Sequence, residues 1–177
     1  MASRMLFAEF EGRLPDSAGF DISLTVVPYR YTTPIQEKLD DGGIDFNGSQ
    51  VRVPYADLGD MPALCAVADA KAANTLMFCI DTPEKFDKVC DAAASDIINR
   101  DFSCTDVMDF LKLLKKYDGD YFAKNSLVIV YKVEPSGSHL PCISGLTLEN
   151  GALTCEVTTE IPEVSARHGV AHAVCRI

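Results

Sequence analysis

No stretch of this chain approaches the roughly 18 consecutive apolar residues that a membrane-spanning helix needs. Its start, Met1-Ala2-Ser3-Arg4-Met5-Leu6-Phe7-Ala8-Glu9-Phe10, lacks the long apolar centre of a secretory leader, because Glu9 and Glu11 interrupt it. As written the chain is expected in the cytoplasm. An upstream leader removed in maturation would instead make it secreted or lipid-anchored. Basic residues are scarce: 16 Lys and Arg against 26 Asp and Glu give a net charge of −10. A chain so acidic repels a phosphate backbone, which argues against nucleic-acid binding. The phosphate-cradling glycine motifs, the nucleophile elbow and the kinase signatures are all missing. So are internal repeats and low-complexity tracts.

Seven cysteines stand at 65, 79, 90, 104, 142, 155 and 175, and no two form a CxxC pair. An odd number cannot all pair within one chain, and zinc sites need tighter spacing or interleaved histidines. We read these residues as buried free thiols that behave as small apolar side chains. His168 and His172 are four apart. They fall in an expected strand, where that spacing spans about 13 Å, and no Glu follows His168. Asp40–Gly48 is rich in acid and glycine, but Gly43 and Pro54 occupy the two ends that a calcium loop reserves for oxygen ligands. No metal and no cofactor is expected.

What is present is enough for one core. With 177 residues and 47% hydrophobic side chains, a single domain buries about 70% of the surface its unfolded chain would expose. Residues 1–121 carry 21 acidic and 12 basic side chains, and residues 122–177 carry 5 and 4. The acidity therefore belongs to the front of the chain, as solvated helix faces and loops.

Strands are expected at Met5–Glu11 and Ile22–Tyr31, both rich in β-branched or aromatic residues. Gln36–Gln50, with Asp40-Asp41-Gly42-Gly43 and Asn47-Gly48-Ser49, reads as an exposed loop before a short strand over Gln50–Tyr55. Pro62 suits the first turn of a helix over Ala63–Ala73, with Asn74 as its stop. Thr75–Ile80 is an apolar run of strand length. Thr82, Pro83 and Glu84 then make a helix start, and Phe86, Val89, Cys90, Ala93, Ile97 and Ile98 recur on one face. A further helix begins near Ser103 or Thr105, with Val107, Phe110, Leu111, Leu114 and Tyr117 inward.

From Leu127 the pattern turns to β. Leu127–Tyr131 is apolar on both faces, as a central strand would be. Asn150-Gly151 is the preferred type I′ turn pair. A two-residue loop there sets Leu148 against Leu153, Leu146 against Cys155 and Ser144 against Val157, all on one face. A last strand is expected over Val170–Ile177. These elements make one α+β domain with a mostly antiparallel sheet, a C-terminal β-meander and two to three packed helices. Residues 1–60 form a β-rich part, 61–121 a helical part with one strand, and 122–177 the C-terminal β part.

The segment Tyr117-Asp-Gly-Asp-Tyr-Phe-Ala-Lys-Asn-Ser-Leu-Val-Ile-Val-Tyr131 is followed by Ser136-Gly137-Ser138, the Leu148–Leu153 hairpin, Ile161-Pro-Glu-Val164 and a closing strand. This order, over about residues 75–177, resembles uncharacterised, often secreted or lipid-anchored, proteins of Gram-positive gut bacteria. More remotely it is similar to the C-terminal domain of the protease-complex subunit family PrcB. In that family the loop after the first strand reads Thr-Gly-Gly-Tyr, where this chain has Ser136-Gly137-Ser138-His139. The loop is also similar to the Thr-Thr-Gly-Tyr loop of chagasin-type cysteine-protease inhibitors.

A loop between two strands, with Gly137 free in its backbone and polar groups on Ser138 and His139, is a candidate recognition surface. The expected function is a non-catalytic protein-interaction module. Its partner would be another protein, such as a protease or an envelope protein, met through Ser136, Gly137, Ser138 and His139 together with Glu163 and His168. Two other readings stay open. One is a protease inhibitor. The other is a thiol-dependent hydrolase, which would need a partly exposed Cys within reach of His139, His168 or His172.

Overall fold

A computed structural model describes residues 1–12, 25–26, 43–68, 74–98, 104–149, 151–160 and 174–176. Its strands are β1 (Ala2–Glu11), β2 (Thr25–Val26), β3 (Asn47–Val53), β4 (Thr75–Ile80), β5 (Asn125–Glu134), β6 (Leu140–Glu149), β7 (Ala152–Glu160) and β8 (Val174–Arg176). The helices are α1 (Pro62–Ala68), α2 (Pro83–Ala93), α3 (Cys104–Leu114) and the single turn α4 (Gly119–Phe122). The fold is α+β, and every described ladder is antiparallel.

The strands form two four-stranded sheets, ordered β3-β1-β5-β4 and β2-β8-β7-β6. The meander is therefore β6-β7-β8, and β5 leaves it to become a central strand of the first sheet. Alternation along β1 and β5 explains why. Met5 and Phe7, with Leu127, Ile129 and Tyr131, face a layer made by the helices. Leu6, Ala8 and Phe10, with Val128 and Val130, face Ile143, Leu146, Leu153, Cys155 and Val157 of the second sheet. The first sheet is thus the middle of three layers, and Leu127–Tyr131 is fully buried.

Several elements start and stop for local reasons. Thr82 caps α2 by accepting from the Lys85 amide at 3.3 Å, with Pro83 in the first turn. A π-helical stretch, Ala94–Ile98, continues α2. Asp118 caps α4 through the Tyr121 amide at 2.9 Å. Asn74, just before β4, has φ +78°, the left-handed conformation asparagine tolerates.

Three expectations need correction or narrowing. Asn47-Gly48-Ser49 is strand, not loop: β3 begins at Asn47 and pairs Asn47, Gly48 and Ser49 with Glu9, Ala8 and Phe7. As an edge strand with exposed side chains it needs little β propensity, since the β1 ladder supplies its hydrogen bonds. In the hairpin, Leu148 meets Leu153 and Leu146 meets Cys155, but Val157 pairs with Ile143. The register shifts between Ile143 and Gly145, so Ser144 is the extra residue of a β-bulge and is exposed. Ile143 turns inward in its place. Finally, the expected strands Ile22–Tyr31 and Val170–Ile177 are described only at Thr25–Val26 and Val174–Arg176. The rest of both lies outside the described residues.

Candidate functional site

The β5–β6 connection, residues 135–139, emerges where both sheets end. Its base is a buried polar cluster supplied by three strand and loop segments. Lys132 and Glu134 lie on β5 at the parity of Val128 and Val130, so both point toward the second sheet. The Lys132 Nζ is 2.7 Å from Glu134 Oε1 and donates to Thr159 Oγ1 on β7 at 2.9 Å. The Thr159 hydroxyl donates to Glu134 Oε1 at 2.8 Å. Only 10% of the Lys132 side chain and 5% of that of Glu134 is exposed. Buried charges persist only when paired and hydrogen-bonded, and here three groups satisfy one another across the two sheets.

His139 joins this cluster from the loop. Its Nδ1 lies 3.4 Å from Glu134 Oε2. The backbone closes at the same point, with the His139 amide donating to the Ser136 carbonyl at 3.2 Å. Ser136 Oγ accepts from the Ser138 amide at 3.3 Å and lies 2.9 Å from Ser138 Oγ. From β1, Arg4 Nη2 donates to the Gly137 carbonyl at 3.3 Å. The tip residues Gly137 and Ser138 stay exposed while their flanks are tied down. Hydrogen bonds within the loop and from β1 therefore hold it in one shape.

Of the site residues expected from sequence, Ser136, Gly137, Ser138 and His139 come together here. Glu163 and His168 lie outside the described residues, as does His172. The sequence reading missed Arg4, Lys132, Glu134 and Thr159. Alternation was the available signal for two of them, because Lys132 and Glu134 continue the inward face of Val128 and Val130.

Three of the described thiols, Cys65, Cys79 and Cys90, do not resemble activated nucleophiles. Burial pushes the Cys65 thiol up, the Cys79 thiol up to about 12 and the Cys90 thiol up to about 11. A reactive cysteine is shifted the other way, by nearby cations or a helix N-terminus. The His139 imidazole faces a carboxylate, not a thiol. Cys65, Cys79, Cys90, Cys142 and Cys155 are all free.

A concave region lies at the other end of the first sheet. It is a cleft of about 440 Å³ lined by residues that include Glu9, Glu11, Asp45, Phe46, Tyr121 and Asn125. Glu9 Oε1 accepts from Lys116 Nζ at 2.8 Å and from the Tyr117 hydroxyl at 2.9 Å. Burial first, then the hydrogen bond to Glu9, pushes the Tyr117 phenol well above its ordinary range. Burial does the same to Tyr121. Among the described residues no group of three or more His, Cys, Asp or Glu is placed to hold a metal ion. No described helix is long and apolar enough to cross a membrane. No protein-family model, curated protein or solved structure matches the chain.

Proposed function

We propose that this chain is a protein-interaction module that engages its partner non-covalently through the loop Ser136–His139. The observation that carries this reading is the way the loop is built. An exposed, small-residue tip stands on a buried Lys132–Glu134–Thr159 base, with His139 as the link between them. A connection that only joined two strands would need no such base. The raised thiols and the His139–Glu134 contact favour binding over thiol hydrolysis. The remote similarity of about residues 75–177 to the C-terminal domain of a protease-complex subunit family is in keeping with this reading.

The test is site-specific crosslinking in the native host. A photo-reactive residue replaces Ser138 in the full chain, and a control carries it at Asp109 on the outer face of α3. The expected result is one discrete adduct from position 138, absent from 109 and lost when Gly137→Trp blocks the tip. An identical adduct pattern from both positions removes the loop from the binding surface. Titration against papain-like proteases adds a second arm, in which saturable inhibition lost with Gly137→Trp identifies the partner as a protease.

A further inference from the structure

The alternation that turns Leu6, Ala8 and Phe10 toward the second sheet turns Arg4 the same way, and the ladders set its neighbours. Arg4 is opposite Arg52 on β3 and opposite Lys132 on β5. Directly opposed side chains have Cβ atoms about 4.5–5.5 Å apart, and like charges so placed repel. Three cations therefore stand in one row across three strands, in a chain whose net charge is −10.

The three are not equivalent. Lys132 has Glu134 at 2.7 Å. Arg52 is exposed and already engaged, so it contributes field and not an open donor. Arg4 is half-buried, and no carboxylate pairs with it among the described residues. Its Nη2 makes one long bond to the neutral Gly137 carbonyl, and its Nε is buried with no acceptor among the described residues. A buried donor without a partner is costly and needs a reason.

Nε and Nη2 form one edge of the guanidinium. Carboxylates and phosphates take such an edge with two parallel charge-assisted bonds. We propose that this edge of Arg4, with Arg52 opposite it on β3, binds an oxyanion, and that the Gly137 carbonyl holds its place in the ligand-free protein. Gly137 sits directly over β1, since a Cβ added there would lie 3.9 Å from that of Ala2. Its loop carries two hydroxyls, Ser136 and Ser138, whose side chains contact each other. An oxyanion accepting from Nε and Nη2 displaces the Gly137 carbonyl and meets these hydroxyls as further donors. The group recognised is a carboxylate or phosphate, supplied by a free ion or by a partner's chain terminus. This site stands or falls apart from the interaction reading above, because inorganic ions probe it directly.

The experiment is an NMR titration of the full chain, labelled with nitrogen-15 and observed at the arginine Nε–Hε resonances. Inorganic phosphate, acetate and a short peptide with a free C-terminal carboxylate are added in separate arms. Sodium chloride at matched ionic strength is the reference. A saturable shift of the Arg4 resonance at millimolar phosphate or acetate supports a free-ion site. A shift that saturates only with the peptide supports a partner's terminus. Arg4→Lys, which keeps the charge and loses the fork, has no Nε–Hε signal, so it is compared with the parent protein at the Gly137 and Ser138 backbone amides, where saturation is expected to weaken about tenfold. If that variant does not fold, Arg52→Gln on the exposed edge replaces it, and a weakened phosphate shift is expected. An Arg4 resonance that moves as much with chloride, or with none of the three ligands, overturns the proposal, as does unchanged binding in the variant that folds.

Discussion

Lys132 and Glu134 are two residues apart on one strand and form an ion pair of 2.7 Å with both side chains almost wholly buried. Removing either partner leaves a lone charge between the sheets. Glu134→Leu is expected to destabilise the protein by about 3–5 kcal/mol in urea unfolding. Lys132→Met combined with Glu134→Leu should recover most of that loss, because no uncompensated charge remains. A double variant as unstable as the single one would mean that the pair is not the source of the cost.

Asp96 plays a different buried role. Its Oδ2 accepts from the Leu64 amide at 2.7 Å, so a residue of the π-helical stretch caps the first turn of α1. The position before Pro62 is Met61, which has no side-chain oxygen to offer, and the side-chain cap comes from elsewhere in the fold. Asp96→Ala is expected to cost about 1–3 kcal/mol by thermal or chemical unfolding. Hydrogen exchange should show the Leu64 amide losing protection before the amides of β5.

Gly151 has φ +80°, where a β-branched side chain is strained. Gly151→Val should cost about 1–2 kcal/mol or more, read from the urea midpoint. The loss should fall mainly on β6 and β7, whose amide signals report the second sheet. No change in stability would contradict the hairpin register.

Cys79 gives a pH dependence of definite sign. Burial raises its pKa from an ordinary 9.0 to about 12. Above pH 9 the unfolded chain loses this proton while the native chain keeps it, so the unfolded state binds fewer protons. Its contribution is therefore complete below pH 9 and declines as the pH rises from 9 to 12. Cys79→Ala should flatten the alkaline limb of the stability profile across that window. In native buffer at neutral pH, thiol reagents should modify Cys79 slowly, because burial keeps it in the unreactive thiol form.

Legibility in the sequence followed locality. Thr75–Ile80 is bounded by Asn74 and by the Thr82-Pro83 helix start, so its strand was readable residue for residue. The start of β3 was hidden, because Asn47, Gly48 and Ser49 have turn chemistry and are held as strand by β1, some forty residues away. The apolar parity of Val128 and Val130 requires a cover but does not say whether a helix or a sheet provides it. Hence the split into two sheets was not visible. The same holds at the site. Ser136–His139 was recognisable as a loop with polar tips, whereas Thr159 enters only through tertiary pairing, 25 residues from Glu134. Lys132 and Glu134 were legible in principle, as charges on an otherwise apolar strand face.

The extra residue at Ser144 has a consequence for chain length. If it is taken out, Ile143, Leu146 and Leu148 fall into strict alternation, and each keeps its present side of the ribbon. The hairpin therefore accommodates two lengths with one interior. A single-codon deletion at this point would leave the same side chains inside and shorten only the outer contour.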